Sequence, residues 1–172
     1  MAPLIVLLAT FAIGLAYLKL RGREAATDRA GRFALTVMFI FTGVSHFGMT
    51  EAMAAMLPPF VPQKNAVVWL TGLLEIAGAF GLLLPRWRRL AAYGLLAFLV
   101  AVFPANVYAA MNAVGAGGHT AGPAYLLFRA PLQLLFLGWT AWFGVRGATP
   151  IACSRARASG RPARAGLGGE AP

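Results

Sequence analysis

Acidic residues are scarce in this chain: five Asp and Glu stand against fifteen Lys and Arg among 172 residues. Charge of either sign is scarce too, at 12% of residues, where a soluble domain carries about 25%. That deficit, in a chain that is 59% hydrophobic with a mean hydropathy of +0.71, excludes an ordinary soluble domain and indicates an integral membrane protein. Cysteine is nearly absent. Cys153 stands alone, so no intrachain disulfide can form and no CxxC exists, which excludes a thiol–disulfide enzyme acting by itself. The only two histidines, His46 and His119, do not combine with cysteine at zinc spacing, so no metal site is expected.

The net charge of +10 could suggest nucleic acid. The basic residues, however, lie in short blocks between apolar runs, an arrangement that sets membrane orientation. The expected partner is therefore the lipid bilayer, not nucleic acid.

A helix needs about 20 apolar residues to cross the hydrocarbon core. Five segments meet or nearly meet this: Pro3 to Leu18, Phe33 to Met49, Val67 to Leu84, Leu90 to Met111 and Ala124 to Val145. The first has no basic residue before it and is followed by "AYLKLRGREAA", so it reads as a retained span rather than a signal peptide. The fold expected is an all-α membrane protein. It comprises an extra N-terminal transmembrane helix at residues 1–20, a four-helix transmembrane bundle at residues 31–146, and a disordered basic tail at residues 147–172.

Basic residues alternate between the loops. Lys19, Arg21, Arg23, Arg29 and Arg32 follow the first span, and Arg86, Arg88 and Arg89 follow the third. The loop after the second span holds only Lys64, and that after the fourth holds no Lys or Arg. Positive loops stay inside, so the expected topology is an N-terminus outside and a cytoplasmic C-terminus, in a bacterial-type inner (plasma) membrane.

The outer loop "TEAMAAMLPPFVPQKN" spaces Met49, Met53 and Met56 as on a helix. A short surface helix is expected there, capped by Thr50 and stopped by Pro58 and Pro59. Methionine in this setting serves as anchor or core filler more often than as a ligand.

Ionisable residues inside membrane spans are rare and mark candidate sites. Here they are His46, Glu75 and Arg129, joined by the uncharged Asn106 and Gln133. Small residues accompany them: Gly43 before His46, and Gly72, Gly78 and Ala79 around Glu75. Tyr125, Arg129 and Gln133 recur every four residues, sharing one stripe of the fifth span, which Thr140 continues. At a helical rise of about 1.5 Å per residue, His46 lies about 5 Å from the outer end of its span. Asn106 and Arg129 lie about 7–8 Å in, and Glu75 and Gln133 about 12 and 13 Å. All five fall in the outer half.

An isolated charge at such depth costs from about 2.5 kcal/mol upward. A Glu75–Arg129 pair, with Gln133 and Asn106 completing its hydrogen bonds, is the economical arrangement. That pair serves either a site or simply the packing of spans three and five. Pro104 and Pro131 free the carbonyls of Val100 and Leu127, and Asn106 can satisfy such a carbonyl rather than bind a ligand. A low-spin b-type haem on His46 would need a second axial ligand, and His119 sits in the loop "GAGGHTAGP". A hydrogen-bonding or proton-carrying role for His46 fits better than haem, and a plain interfacial histidine fits as well.

Several stretches together resemble the DoxX-like membrane protein family: "FTGVSHF", "MLPPFVP", "LTGLLEIAGAFGLLLPRWRRLAAYGL", "AVFPANVYAA" and "FRAPLQ". The resemblance runs from about Gly31 to Val145, and the first span departs from the compact four-span form of that family. The family takes its name from a subunit of an archaeal thiosulfate:quinone oxidoreductase. The resemblance implies an accessory subunit of a quinone-linked redox or oxidative-detoxification system, with a soluble or membrane redox partner. Quinone would be the one candidate cofactor, and Arg129, Asn106 and His46 its possible contacts. A non-catalytic scaffold or assembly protein is the alternative. A small-solute transporter is a further one, although no inverted repeat is apparent.

Overall fold

A computed structural model describes residues 2–23, 25–112 and 123–146. Six α-helices run in order: α1 (Ala2–Leu20), α2 (Ala26–Gly48), α3 (Thr50–Ala54), α4 (Lys64–Leu83), α5 (Arg88–Met111) and α6 (Tyr125–Trp139). The last continues as a π-helical segment, Thr140–Val145. Among the described residues there is no strand. Among the described residues five helices, counting α6 with its π-helical extension, are long and apolar enough to cross a membrane. The protein is an all-α, multi-pass membrane protein. The basic tail expected after residue 146, His119 and Cys153 lie outside the described residues.

The expected spans fall close to these helices, with one clear extension. α2 begins at Ala26, a full two turns before Phe33. Its first turns carry Asp28, Arg29 and Arg32, charged residues that a hydropathy reading cuts off. A solvated helix end accommodates them at little cost, because charge there need not leave water.

The usual inside-out distribution of a soluble protein is absent. Leu70, Leu73, Leu74, Phe80, Leu127, Leu134 and Trp142 point outward, as apolar helices do when lipid is the solvent. Leu35, Met38, Phe39, Leu82, Leu95, Leu99, Leu132 and Phe136 fill the middle. The buried polar set is Thr36, Glu75, Asn106, Gln133 and Thr140. α1 contributes one fully buried side chain, Leu7. It lies against α2, where a Cβ on Gly14 would sit 3.6 Å from that of Ala30. Its Phe11 meets Trp139 edge-on at 5.1 Å.

The tightest crossing joins α2 and α4. A Cβ added to Gly72 would lie 2.7 Å from His46 Cβ and 2.9 Å from Gly43 O, and one on Gly43 would lie 3.0 Å from Gly72 O. Two backbones approach this closely only where neither carries a side chain, the packing logic of small residues in membranes. The π-helical end of α6 locks in the same way at the opposite end of the bundle: Gly144 faces Ala92, and Phe143 lies over Gly31.

A short link turns α2 into α3 through a single residue, Met49 (φ −124°, ψ 30°). Thr50 does not cap α3 as expected. Its hydroxyl donates backward to His46 O at 2.8 Å, and Met49 occupies the cap position with no side-chain bond. The α2 carbonyls left open at that end compete for the hydroxyl and win it, since they lie within its own preceding turn. α3 is instead pinned from α4 by Trp69 Nε1, which donates to Thr50 Oγ1 at 2.9 Å, and the link after α3 is held by Lys64 Nζ, which donates to Leu57 O at 2.8 Å.

Candidate functional site: a polar cavity at one end of the bundle

The α2–α4 glycine crossing decides which polar groups meet. His46 lies three residues beyond Gly43, and Glu75 three beyond Gly72. A three-residue step keeps each on the face where its helix touches the other. The result is an ion-pair contact of 3.3 Å between His46 Nε2 and Glu75 Oε2. Thr42, one turn before His46, donates its hydroxyl to Glu75 Oε1 at 2.6 Å. The His–Glu contact is one of charge more than of alignment, since Oε2 makes no well-formed hydrogen bond. One carboxylate oxygen is therefore fully engaged and the other is not.

The imidazole tautomer follows from its other neighbour. Nδ1 lies 3.0 Å from Val68 O and 3.2 Å from Thr71 Oγ1, and Thr71 donates to that same carbonyl at 2.9 Å. A carbonyl can only accept, so Nδ1 carries a proton and donates it. Nε2 is then the nitrogen that gains or loses a proton, and it faces Glu75.

The remaining candidates come from α5 and α6. Asn106 is buried and donates through Nδ2 to Val102 O at 3.2 Å. Gln133 is buried and donates through Nε2 to Leu99 O at 2.6 Å, tying α6 to α5. Neither bond reaches Val100, the carbonyl that Pro104 was expected to free. Asn106 supports its own preceding turn two residues further along, as an i to i−4 side-chain bond does.

Arg129 lies one turn from Tyr125 and one from Gln133, as the spacing of four requires. The expected Glu75–Arg129 ion pair is not formed. Among the described residues no carboxylate lies within 4.0 Å of Arg129, and its Nε is buried without a hydrogen-bond partner. The reason lies in the crossing: His46 and Thr42 sit on the helix in closest contact with α4 and reach the carboxylate first.

All five candidates nonetheless line one cavity of about 340 Å³. Its apolar wall is supplied by Phe39, Phe98, Leu99 and Phe136, and its rim by Met49, Met53 and Met56 of the α3 region. Ala2 and Pro3 of α1 close another side. Cavities of this size, mostly apolar with a few convergent polar groups, are the usual form of small-ligand sites. Thr42, Ser45 and Thr71 are polar residues of this region that were not among the candidates; Thr42 and Ser45 line the cavity and Thr71 contacts His46. Thr42 was findable, at four before His46; Thr71 has no such signal. Thr140, which continued the polar stripe, is buried in the π-helical segment with its hydroxyl unpartnered, and it does not line the cavity. Among the described residues no three His, Cys, Asp or Glu side chains gather to hold a metal ion.

No curated protein and no solved structure matches the chain. A family model does, over residues 35–144, which run from within α2 through the π-helical end of α6 and leave α1 outside. That stretch contains every residue of the polar cluster, and by it the chain belongs to the family described as Domain of unknown function (DUF8561).

Proposed function

We propose that the protein is a quinone-binding accessory subunit of a membrane redox system, related to the DoxX-like proteins and lying in a bacterial-type inner membrane with its cavity toward the exported face. The observation that carries this reading is the composition of the cavity wall. A histidine–carboxylate charge contact with a fixed tautomer, an unpaired guanidinium nitrogen and two amides share one apolar-walled space of about 340 Å³.

A quinone is flat and apolar, with two carbonyl oxygens that accept hydrogen bonds. Arg129 supplies a donor with nothing else to bind, and Phe39, Phe98 and Phe136 supply flat apolar surface. Reduction to the quinol needs two electrons and two protons. The electrons would come from a redox partner. A proton can pass through His46 Nε2 and Glu75 Oε2, whose 3.3 Å separation lets one proton reside on either. The motif resemblance from Gly31 to Val145 points to the same class of chemistry.

The test is direct. The protein is purified in mild detergent, its bound lipids are extracted and analysed for quinone, and a short-chain benzoquinone is titrated against it by tryptophan quenching. Binding that weakens about tenfold or more in Arg129→Ala is the expected result. An extract without quinone, together with binding unchanged by that substitution, rejects the reading.

A scaffold role is the second reading, favoured by the bonds that tie α2 to α4 and α5 to α6. It predicts that Glu75→Gln and Arg129→Ala lower folded yield while the pathway rate per folded molecule stays constant.

A further inference from the structure

Half of the chain's six methionines, Met49, Met53 and Met56, stand within eight residues of one another, and the proposed function uses none of them. They continue a stripe that starts on α2. His46, Met49, Met53 and Met56 step by three, four and three, the spacing of one helical face. The backbone carries that face through the α2–α3 link. Met49 N–H donates to Ser45 O at 2.9 Å, Met53 N–H to Met49 O at 3.0 Å and Met56 N–H to Met53 O at 3.1 Å. His46 fixes which way the stripe looks, because its contact with Glu75 turns it inward. All four side chains accordingly line the polar cavity.

Methionine is most often core filler or an apolar anchor, and neither role fits these three. Filler looks like Met38, which lines the same cavity and is 1% exposed. Met49 is 49% exposed, and Met53 and Met56 are partly exposed. An anchor would turn toward lipid, whereas these side chains share a wall with Glu75, Arg129 and Gln133. Their thioethers stand open at the cavity mouth on successive turns of one short segment. Methionine is unbranched and flexible, so sulfurs on one face can converge without moving the backbone. A thioether is a neutral, polarisable donor, and such donors select soft ions such as Cu(I) over hard, oxygen-seeking cations.

We propose that Met49, Met53 and Met56 form a three-thioether site for a soft monovalent cation, Cu(I), at the mouth of the polar cavity. His46 is not in the ligand set, since its Nδ1 donates to Val68 O and its Nε2 faces Glu75. The ion binds and leaves as Cu(I), with no change of oxidation state. The inference is independent of the quinone reading and needs neither Arg129 nor the His46–Glu75 contact as ligands.

The experiment uses the full chain in mild detergent. Cys153, the only thiol, would compete for a soft ion and is first changed to Ser. Ag(I), a redox-inert stand-in for Cu(I), is titrated by calorimetry in chloride-free buffer. A single saturable binding event is expected, and its absence overturns the proposal without any further variant. Met49→Leu/Met53→Leu/Met56→Leu conserves volume, and should weaken binding about tenfold or more while leaving the helical circular dichroism unchanged. Met111→Leu removes an exposed thioether outside the cavity and should leave the affinity as it was. Equal weakening in both variants reflects scattered thioethers and rejects the site. X-ray absorption of the Cu(I)-loaded protein, which needs no methionine variant to fold, should show sulfur neighbours alone. A nitrogen or oxygen shell overturns the assignment. A thioether has no proton to lose, so affinity should be equal at about pH 7.5 and about pH 5.5, where an imidazole ligand would be lost to protonation. An affinity about tenfold lower at the acid pH would assign the ion to a histidine and overturn the thioether site.

Discussion

At the residue scale, the pairing around Glu75 makes separable predictions. Thr42→Val removes the 2.6 Å bond to Oε1 while keeping the side chain's volume. A hydrogen bond to a charged acceptor contributes about 1.5–3 kcal/mol, so chemical denaturation in detergent should show a loss in that range. Glu75→Gln keeps an acceptor for Thr42 and an amide that can face Nε2, so its fold should survive. The ability to hold a proton at that position is lost, and the quinone-linked proton uptake proposed above should go with it. Arg129 behaves oppositely. Its Nε is buried and unpartnered, and replacing an uncompensated buried cation by an apolar side chain of similar length is neutral or stabilising. Arg129→Met should therefore match or exceed the wild type in thermal stability while losing the titratable quinone binding. A large drop in stability would mean that the guanidinium holds the bundle together, as the scaffold reading requires. The identity of the polar residues was readable from the sequence, because charge in an apolar span is conspicuous. Their partners were not. Depth along a helix placed Glu75 and Arg129 in the same half of the bilayer, but depth carries no information about which helices touch.

At the scale of elements, contact was decided by glycine. The α2–α4 crossing rests on Gly43 and Gly72 facing each other, and a methyl on Gly72 would meet the Gly43 carbonyl at 2.9 Å. Backbone cannot yield as a flexible side chain can. Gly72→Ala should therefore cost about 1–3 kcal/mol by overpacking and shift His46 away from Glu75. Gly94 and Gly138 meet nothing within 4 Å. Alanine at either should be neutral or stabilising by up to about 1 kcal/mol, the intrinsic helix preference. Thermal melts of the three alanine variants in one detergent would separate the two classes, and a uniform response would remove the crossing as the organiser of the site. Span positions were legible from hydropathy, since length and apolarity alone define them. The early start of α2 was hidden by its charges. The π-helical end of α6 was hidden as well, because Thr140–Val145 keeps an apolar, aromatic sequence whose backbone register is set by Phe143 packing over Gly31 and Gly144 against Ala92. Tertiary contacts of that kind leave no periodicity to read.

At the scale of the whole molecule, the two ends of the bundle differ in chemistry, and that difference predicts how it sits. One end gathers the polar cavity, α3 and its methionines. The other gathers Arg29, Arg32, Arg88 and, on the aromatic rim, Arg146 over Trp142 at 4.6 Å. The 20 residues of α4 rise about 30 Å between them, the thickness of a hydrocarbon core, with Trp69 and Trp87 exposed toward its two ends. Positive charge is retained on the cytoplasmic side, so the polar cavity should open toward the exported face and exchange its protons with outer water. Single-cysteine labelling checks this after the native Cys153 is changed to Ser. Phe60 lies in the α3–α4 link and is 83% exposed, so Phe60→Cys should react in intact cells with a membrane-impermeant maleimide. Pro85→Cys, exposed between α4 and α5 and chosen because it leaves every arginine in place, should react only after permeabilisation. The opposite pattern would invert the molecule. The His46–Glu75 dyad would then draw its protons from the cytoplasm, and the arginines of the opposite end would lie outside, against the positive-inside rule. The labelling experiment therefore constrains the proposed site, because the polar cavity and the arginine-bearing end lie at opposite ends of one bundle.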